Sequence, residues 1–69
     1  MPLTFAPVGE DSIIRKVGGN QELKKHLEDM GFVPGGRVTV ISAIAGNLIV
    51  HVKESRVAIS REMAGKILI

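Results

Sequence analysis

The chain has 69 residues, no cysteine, and a formal net charge of +2 from nine basic and seven acidic side chains. A domain of this length buries roughly 60% of its unfolded surface, so we expect one domain over residues 1–69, with neither a disulfide nor a thiolate metal site. Trp and Tyr are absent and Phe occurs twice, too few for the aromatic platforms that bind single-stranded nucleic acid or the grooves that bind proline-rich peptides.

The first residues, Met1–Pro7, contain neither the basic segment nor the long apolar run of a secretory signal peptide. No stretch reaches the ~20 apolar residues that cross a bilayer. We therefore expect a cytoplasmic protein that does not insert into the membrane, in keeping with the lack of cysteine.

The first strand is predicted at residues 13–17, after a turn-like segment at 8–12 and before the glycine pair at 18–19. A helix is predicted from Asn20 to Met30, with Asn20 as its N-cap. Leu23, Leu27 and Met30 share one face of this helix. Gly31 supplies the left-handed conformation that ends it, and Pro34 prevents a prompt restart.

Two further strands are predicted at Arg37–Ile44 and Leu48–Lys53, because apolar and polar residues alternate along both. The intervening residues 45–47 suit a hairpin turn with Gly46 or Asn47 at positive φ. A polar turn at 53–56 leads into a third strand of the meander, Val57–Ile59. These short segments between turn signals favour a mainly β fold.

One short helical turn is predicted at Ser60–Ala64, although Ser60 and Met63 do not form a capping box. The last residues, Lys66–Ile69, form an apolar strand that we expect to pair near Leu3–Phe5, since an open apolar edge is prone to association. The predicted architecture is a partly open barrel of five to six strands with one inserted α-helix.

The segment from Leu27 to Val40 contains Met-Gly-Phe-Val-Pro-Gly between a helix and a strand of alternating β-branched residues. This segment resembles the signature of the FeoA family. The opening strand with Pro7-Val8-Gly9, the hairpin at Gly46 and the closing segment Val57–Ala64 are similar as well. The chain departs from the family at Asn47-Leu48, where a proline is frequent, and at Glu54 or Ser55, where a glycine is common.

The resemblance implies an SH3-like β-barrel and a role as a small cytosolic accessory of bacterial ferrous-iron transport. It further implies contact with the cytosolic, GTPase-like region of the FeoB permease, with no iron bound by the chain itself. The same module ends iron-responsive repressors that carry a winged-helix domain. The sequence contains no such domain, which favours the free-standing form.

The predicted docking surface is the helix together with the corner that follows it. Phe32 either lies partly exposed there, as aromatic residues in interfaces often do, or caps the core. The basic residues either steer an acidic partner or serve as solubilising surface. The predicted partner-binding residues are Lys24, Met30, Gly31, Phe32, Val33, Pro34, Gly35 and Arg37.

No catalytic constellation is predicted, because the serines have no triad spacing to a His and an acid and the glycines form no Walker-type loop. We therefore predict no enzyme activity and no cofactor. Glu22 and His26 lie four residues apart and could share a helix face, but a metal site needs three or four ligands. His51 is predicted to lie alone on the exterior.

Two alternatives to the transport accessory stay open. One is a small nucleic-acid-binding barrel, motivated by the pI of about 9.4 and the glycine-rich entry to a strand, and opposed by the scattered basic residues. The other is a transition-metal-sensing module that uses Glu22 and His26. Weak association between copies through a short edge strand is also compatible with the sequence.

Overall fold

The computed structural model describes residues 1–69, which fold into six short strands, two helices and one 3₁₀ turn. The chain is therefore mainly β, as predicted. In chain order the elements are the 3₁₀ turn Leu3–Phe5, β1 Asp11–Ile13, β2 Lys16–Val17, α1 Gln21–Asp29, β3 Arg37–Ile44, β4 Asn47–Val52, β5 Ser55–Ser60, α2 Arg61–Ala64 and β6 Ile67–Leu68.

The helix α1 confirms the prediction from spacing and capping. The side-chain oxygen of Asn20 accepts the backbone N–H of Leu23 at 2.8 Å, which satisfies one of the free donors of the first turn. Leu27 is fully buried, while Leu23 and Met30 pack partly buried against the same core. The apolar stripe therefore attaches α1 to the sheets.

Replacement of the Asn20 cap tests its contribution. We expect Asn20→Ala to lower the free energy of unfolding by about 1 kcal/mol, because the Leu23 amide loses its acceptor. Denaturant unfolding followed by circular dichroism measures the change. Asn20→Asp keeps an acceptor oxygen and should retain the stability; an equal loss in both variants would contradict the capping role.

Four strands form an antiparallel sheet in the order β1-β3-β4-β5. Both tight turns of the meander place two residues at positive φ, as primed hairpin turns require. In the first turn these are Ala45 (φ 48°) and Gly46 (φ 82°), whereas Asn47 is already in β4. Of the two residues predicted to have positive φ in this turn, Gly46 is confirmed and Asn47 is not.

The segment predicted as one strand at 13–17 is divided between two sheets. Ile14 donates its N–H to Gly36 O at 2.8 Å and accepts the N–H of Gly35 at 2.7 Å. These bonds turn the chain after β1, so that β2 leaves the large sheet and pairs with β6 instead. The prediction of a single continuous strand was therefore wrong, because Ile14 and Arg15 belong to neither strand.

The last strand, β6, pairs with another strand, as predicted, but its contact with the start of the chain lies at Met1 and Pro2 and not within Leu3–Phe5. Its main partner is β2, while Pro2 makes an isolated bridge to Leu68, and the Ile69 N–H is donated to Met1 O at 2.7 Å. Residues 3–5 form a 3₁₀ turn instead, with Phe5 N–H donated to Pro2 O and Ala6 N–H to Leu3 O, both at 3.0 Å. Proline has a fixed φ that suits it to the start of such a turn.

No strand pairing joins the four-stranded sheet to the β2–β6 pair, so the strands do not close into a barrel. One apolar core lies between them and α1, and no polar side chain is buried in it. No helix is long and apolar enough to span a bilayer, since α1 has nine residues. The core residues are Leu3, Ile14, Val17, Leu27, Phe32, Val38, Val40, Leu48, Val50, Val52, Ile59, Ala64 and Ile67.

Candidate functional site

The corner between α1 and β3 is built by two glycines that no other residue replaces without strain. Gly31 has φ 107°, and its N–H is donated to Glu28 O at 2.9 Å as the helix ends. Gly36 approaches the chain so closely that a Cβ there would lie 3.0 Å from Val33 O. The corner is therefore a tightly turned segment that directs the chain from α1 into β3.

Phe32 points into the protein from this corner. Its side chain has no exposed surface and belongs to the core, and its N–H is donated to Leu27 O at 3.0 Å. The alternative in which Phe32 caps the core is thus confirmed, and partial exposure is wrong. Phe32 holds the corner in place but cannot itself touch a partner in this structure.

An open cleft of about 590 Å³ lies beside the corner. Four of the predicted partner-binding residues line it: Gly31, Val33, Gly35 and Arg37. The others, Lys24, Met30, Phe32 and Pro34, lie outside it. The remaining lining residues are Asp11, Ile13, Gly36, Thr39, His51, Lys53 and Glu54.

Ile13 and Asp11 are two of the seven cleft residues that were not among the predicted partner-binding residues. Both are in β1, which pairs with β3 so that Ile13 lies opposite Arg37 and Asp11 opposite Thr39. The Ile13 side chain is 52% exposed, which is unusual for an isoleucine in a strand. Both its exposure and its position beside the corner follow from the register of β1 on β3, so the sequence carried no signal for it.

Asp11 is held by two neighbours on β3. Thr39 Oγ1 donates to Asp11 Oδ1 at 2.5 Å, and Arg37 Nε lies 3.8 Å from Asp11 Oδ2. The Arg37 and Asp11 side chains are 72% and 59% exposed, so this ion pair contributes little to stability. It does fix where positive and negative charge lie at the mouth of the cleft.

A row of polar side chains crosses the outer face of the sheet. Asp11, Thr39, His51 and Arg56 are successive partners across the four strands. His51 is exposed, as predicted, but it is not alone, since Thr39 and Arg56 are its cross-strand neighbours. Adjacent cross-strand side chains lie within contact range, so the row gives the cleft a polar floor.

Glu22 and His26 are both exposed on α1. No group of three or more His, Cys, Asp or Glu side chains is placed to hold a metal ion. The pair itself offers two of the three or four ligands that a protein metal site uses.

Fold and cleft together define a small mainly β domain whose exposed features suit binding of another molecule. Residues 1–69 match the FeoA domain, and the chain belongs to the FeoA domain family. It is 35% identical over 68 residues to a Methanocaldococcus jannaschii protein provisionally named Fe(2+) transport protein A, with 99% of this chain and 83% of that protein covered. The family is thus associated with iron(II) transport.

Solved structures share the fold. The crystal structure of an iron uptake regulatory protein (FeoA) is 26% identical and has a TM-score of 0.88, covering 97% of this chain and 91% of that one. Zinc-complexed Stenotrophomonas maltophilia FeoA, described as a prokaryotic SH3 domain protein, is 23% identical with a TM-score of 0.85, covering 99% and 87%. The chain therefore has the SH3-like fold of FeoA proteins.

Proposed function

We propose that this chain is a cytoplasmic accessory protein of ferrous-iron transport that binds the cytosolic, GTPase-like region of a FeoB permease. Membership of the FeoA domain family and the name of the archaeal relative support the transport role. The observation that carries the docking role is the open cleft at the corner, where exposed Ile13 adjoins Val33 and two cationic side chains.

The lining of the cleft suits protein recognition. Ile13 and Val33 provide apolar surface, and the exposed Gly35 and half-buried Gly36 leave the backbone accessible at the wall. Arg37 and Lys53 are balanced by Asp11 and Glu54, so the mouth carries both signs of charge. Apolar contact surrounded by mixed charges is the usual arrangement of a transient protein interface.

The role of the chain in this proposal is binding and not catalysis. Asp11, one of the two carboxylates that line the cleft, is engaged by Thr39 at one oxygen and by Arg37 at the other. A carboxylate held in this way positions its neighbours and is poorly placed to move a proton. Any nucleotide chemistry would therefore belong to the permease.

An NMR titration of the isotope-labelled chain with the soluble GTPase-like region of the permease tests the proposal. We expect amide shifts at Ile13, Gly35, Arg37 and Lys53, which lie around the cleft. Arg37→Glu should weaken binding about tenfold by reversing a charge at the contact. Arg61→Glu is the matched control, because Arg61 is exposed but lies outside this cleft.

Two results would contradict this docking site. Shifts confined to surfaces away from the cleft would assign binding elsewhere, and equal weakening by both charge reversals would indicate a non-specific effect of net charge. A parallel titration with duplex DNA addresses phosphate binding. Affinity for DNA that falls steeply with rising salt would favour a nucleic-acid role instead.

A further inference from the structure

The outer edge of β5 is the longest strand edge that lacks a partner. The strand covers Ser55–Ser60 and pairs along its full length with β4 on one side only. It is the last strand of the four-stranded sheet, whose opposite edge is the three-residue β1. A free edge presents unpaired backbone donors and acceptors to solvent.

The turn before β5 determines which backbone groups face outward. Lys53 (φ 48°) and Glu54 (φ 63°) form a two-residue primed turn, so the flanking Val52 and Ser55 exchange hydrogen bonds. Hydrogen-bonded and non-hydrogen-bonded pairs then alternate. Val57 therefore directs its N–H and C=O toward β4, while Arg56 and Ala58 direct theirs away from the sheet.

The following helix leaves this edge open. Arg61 N–H is donated to Gly46 O at 2.9 Å, which holds the end of β5 against the β3–β4 turn. The helix α2 then contacts the end of β5, β4 and the 3₁₀ turn, and its Ala64 is fully buried. Arg56 and Ala58 are exposed, and no backbone hydrogen bond from outside the sheet reaches either residue.

We propose that β5 pairs antiparallel with β5 of a second copy of this chain, about a two-fold axis at Val57. In this register Arg56 of one copy exchanges two hydrogen bonds with Ala58 of the other, and the reverse pair does the same. Val57, half-buried against the core in each copy, meets Val57 of the other as a close non-hydrogen-bonded pair.

Charge placement favours this occupant and this register. Arg56 lies directly opposite Ala58, and the two exposed Arg56 side chains are diagonal neighbours that extend into solvent. Glu54 of one copy lies alongside Ser60 and Arg61 of the other. In this arrangement the edge is complementary to itself at both ends of the pairing, where Glu54 and Arg61 carry opposite charges.

The pairing joins the two sheets into one of eight strands. Because the two-fold axis is perpendicular to the sheet, the outer faces of both copies lie on the same side, and so do their two clefts. A contact of one strand per copy is smaller than a standard interface of about 1,600 Å², so association is weak and appears at high concentration. This inference does not depend on the identity of the docking partner.

An NMR dilution series of the unmodified chain, with sedimentation equilibrium alongside, is the primary test. We expect concentration-dependent amide shifts centred on Arg56, Val57 and Ala58, and a mass that rises toward the dimer. Ala58→Pro removes an outward N–H without touching the ladder to β4, and should weaken association about tenfold or more. Ala58→Thr keeps the N–H and is the matched control.

Two outcomes overturn the proposal. One is a monomer with no dilution shifts at millimolar concentration, and the other is dilution shifts that lie away from β5. A Val57→Cys variant adds an independent check, because the chain has no other cysteine and the two Val57 positions face each other across the axis. Failure of this variant to form the disulfide-linked dimer under mild oxidation, while associating normally, would exclude the register.

Discussion

Phe32→Ala is expected to remove about 3–5 kcal/mol of folding stability. The Phe32 ring is fully buried at the corner between α1 and β3, and it is the largest fully buried side chain of the core. A domain of this size is stable by about 3–10 kcal/mol, so the loss removes much of the folding stability and, at the low end of this range, all of it. Circular dichroism and denaturant unfolding measure the loss, since the chain has no Trp for fluorescence.

The second phenylalanine provides the matched control. Phe5 is 70% exposed, so Phe5→Ala deletes the same side chain without leaving a cavity. We expect its free energy of unfolding to stay within about 0.5 kcal/mol of the parent. Comparable losses in the two variants would mean that burial at the corner does not determine the effect.

Gly31→Ala is expected to cost about 1–3 kcal/mol, since any other residue at φ 107° is strained. The added Cβ would also lie 3.1 Å from the Lys53 side chain, which passes over this glycine. The midpoint of denaturant unfolding should fall accordingly. Because Gly31 also lines the cleft, partner binding should weaken in the same variant.

Two further variants separate the causes of this loss. Gly65→Ala should be nearly neutral, because Gly65 has φ −65° and its Cβ would make contacts of 3.4 Å or more. In Gly31→Ala combined with Lys53→Ala the steric contact is absent, so the loss that persists measures the backbone strain. Full recovery in the double variant would contradict strain as the main cause.

The elements that sequence predicted well are those set by local chemistry. Asn20, Gly31 and the spacing of the leucines between them fix α1 within one residue at each end. The strands β3 and β4 follow from alternation, and their turn from Gly46. Each of these signals lies within the element or next to it, so it can be recognised without knowledge of distant partners.

The pairings between distant segments could not be predicted in this way. An apolar residue at position 14 is compatible with one continuous strand and with two separate strands. The hydrogen bonds of Ile14 to Gly35 and Gly36 decide between these arrangements, and the sequence does not reveal them. Lys66–Ile69 is apolar enough to pair with several strands. Its partner β2 has two residues, too few to give a periodic signal.

The residues of the candidate site also fall into two groups, those indicated by a local motif and those brought there by strand pairing. Gly31, Val33, Gly35 and Arg37 are contiguous in the chain, so one motif indicated all of them. Asp11 and Ile13 reach the cleft through the register of β1 on β3, which the sequence does not specify. Whether Phe32 is exposed or buried depends on the direction in which the corner turns, which the sequence does not specify.

The pairing of β2 with β6 also bears on how the domain folds. The meander of β3, β4 and β5 joins neighbours through two-residue turns, so its nucleus forms with little loss of chain entropy. Val17 and Ile67 are far apart in the sequence, so they can pair only after most of the intervening chain has folded. We therefore expect the meander to fold early and the joining of the two ends to come late, because contacts between distant residues cost more chain entropy.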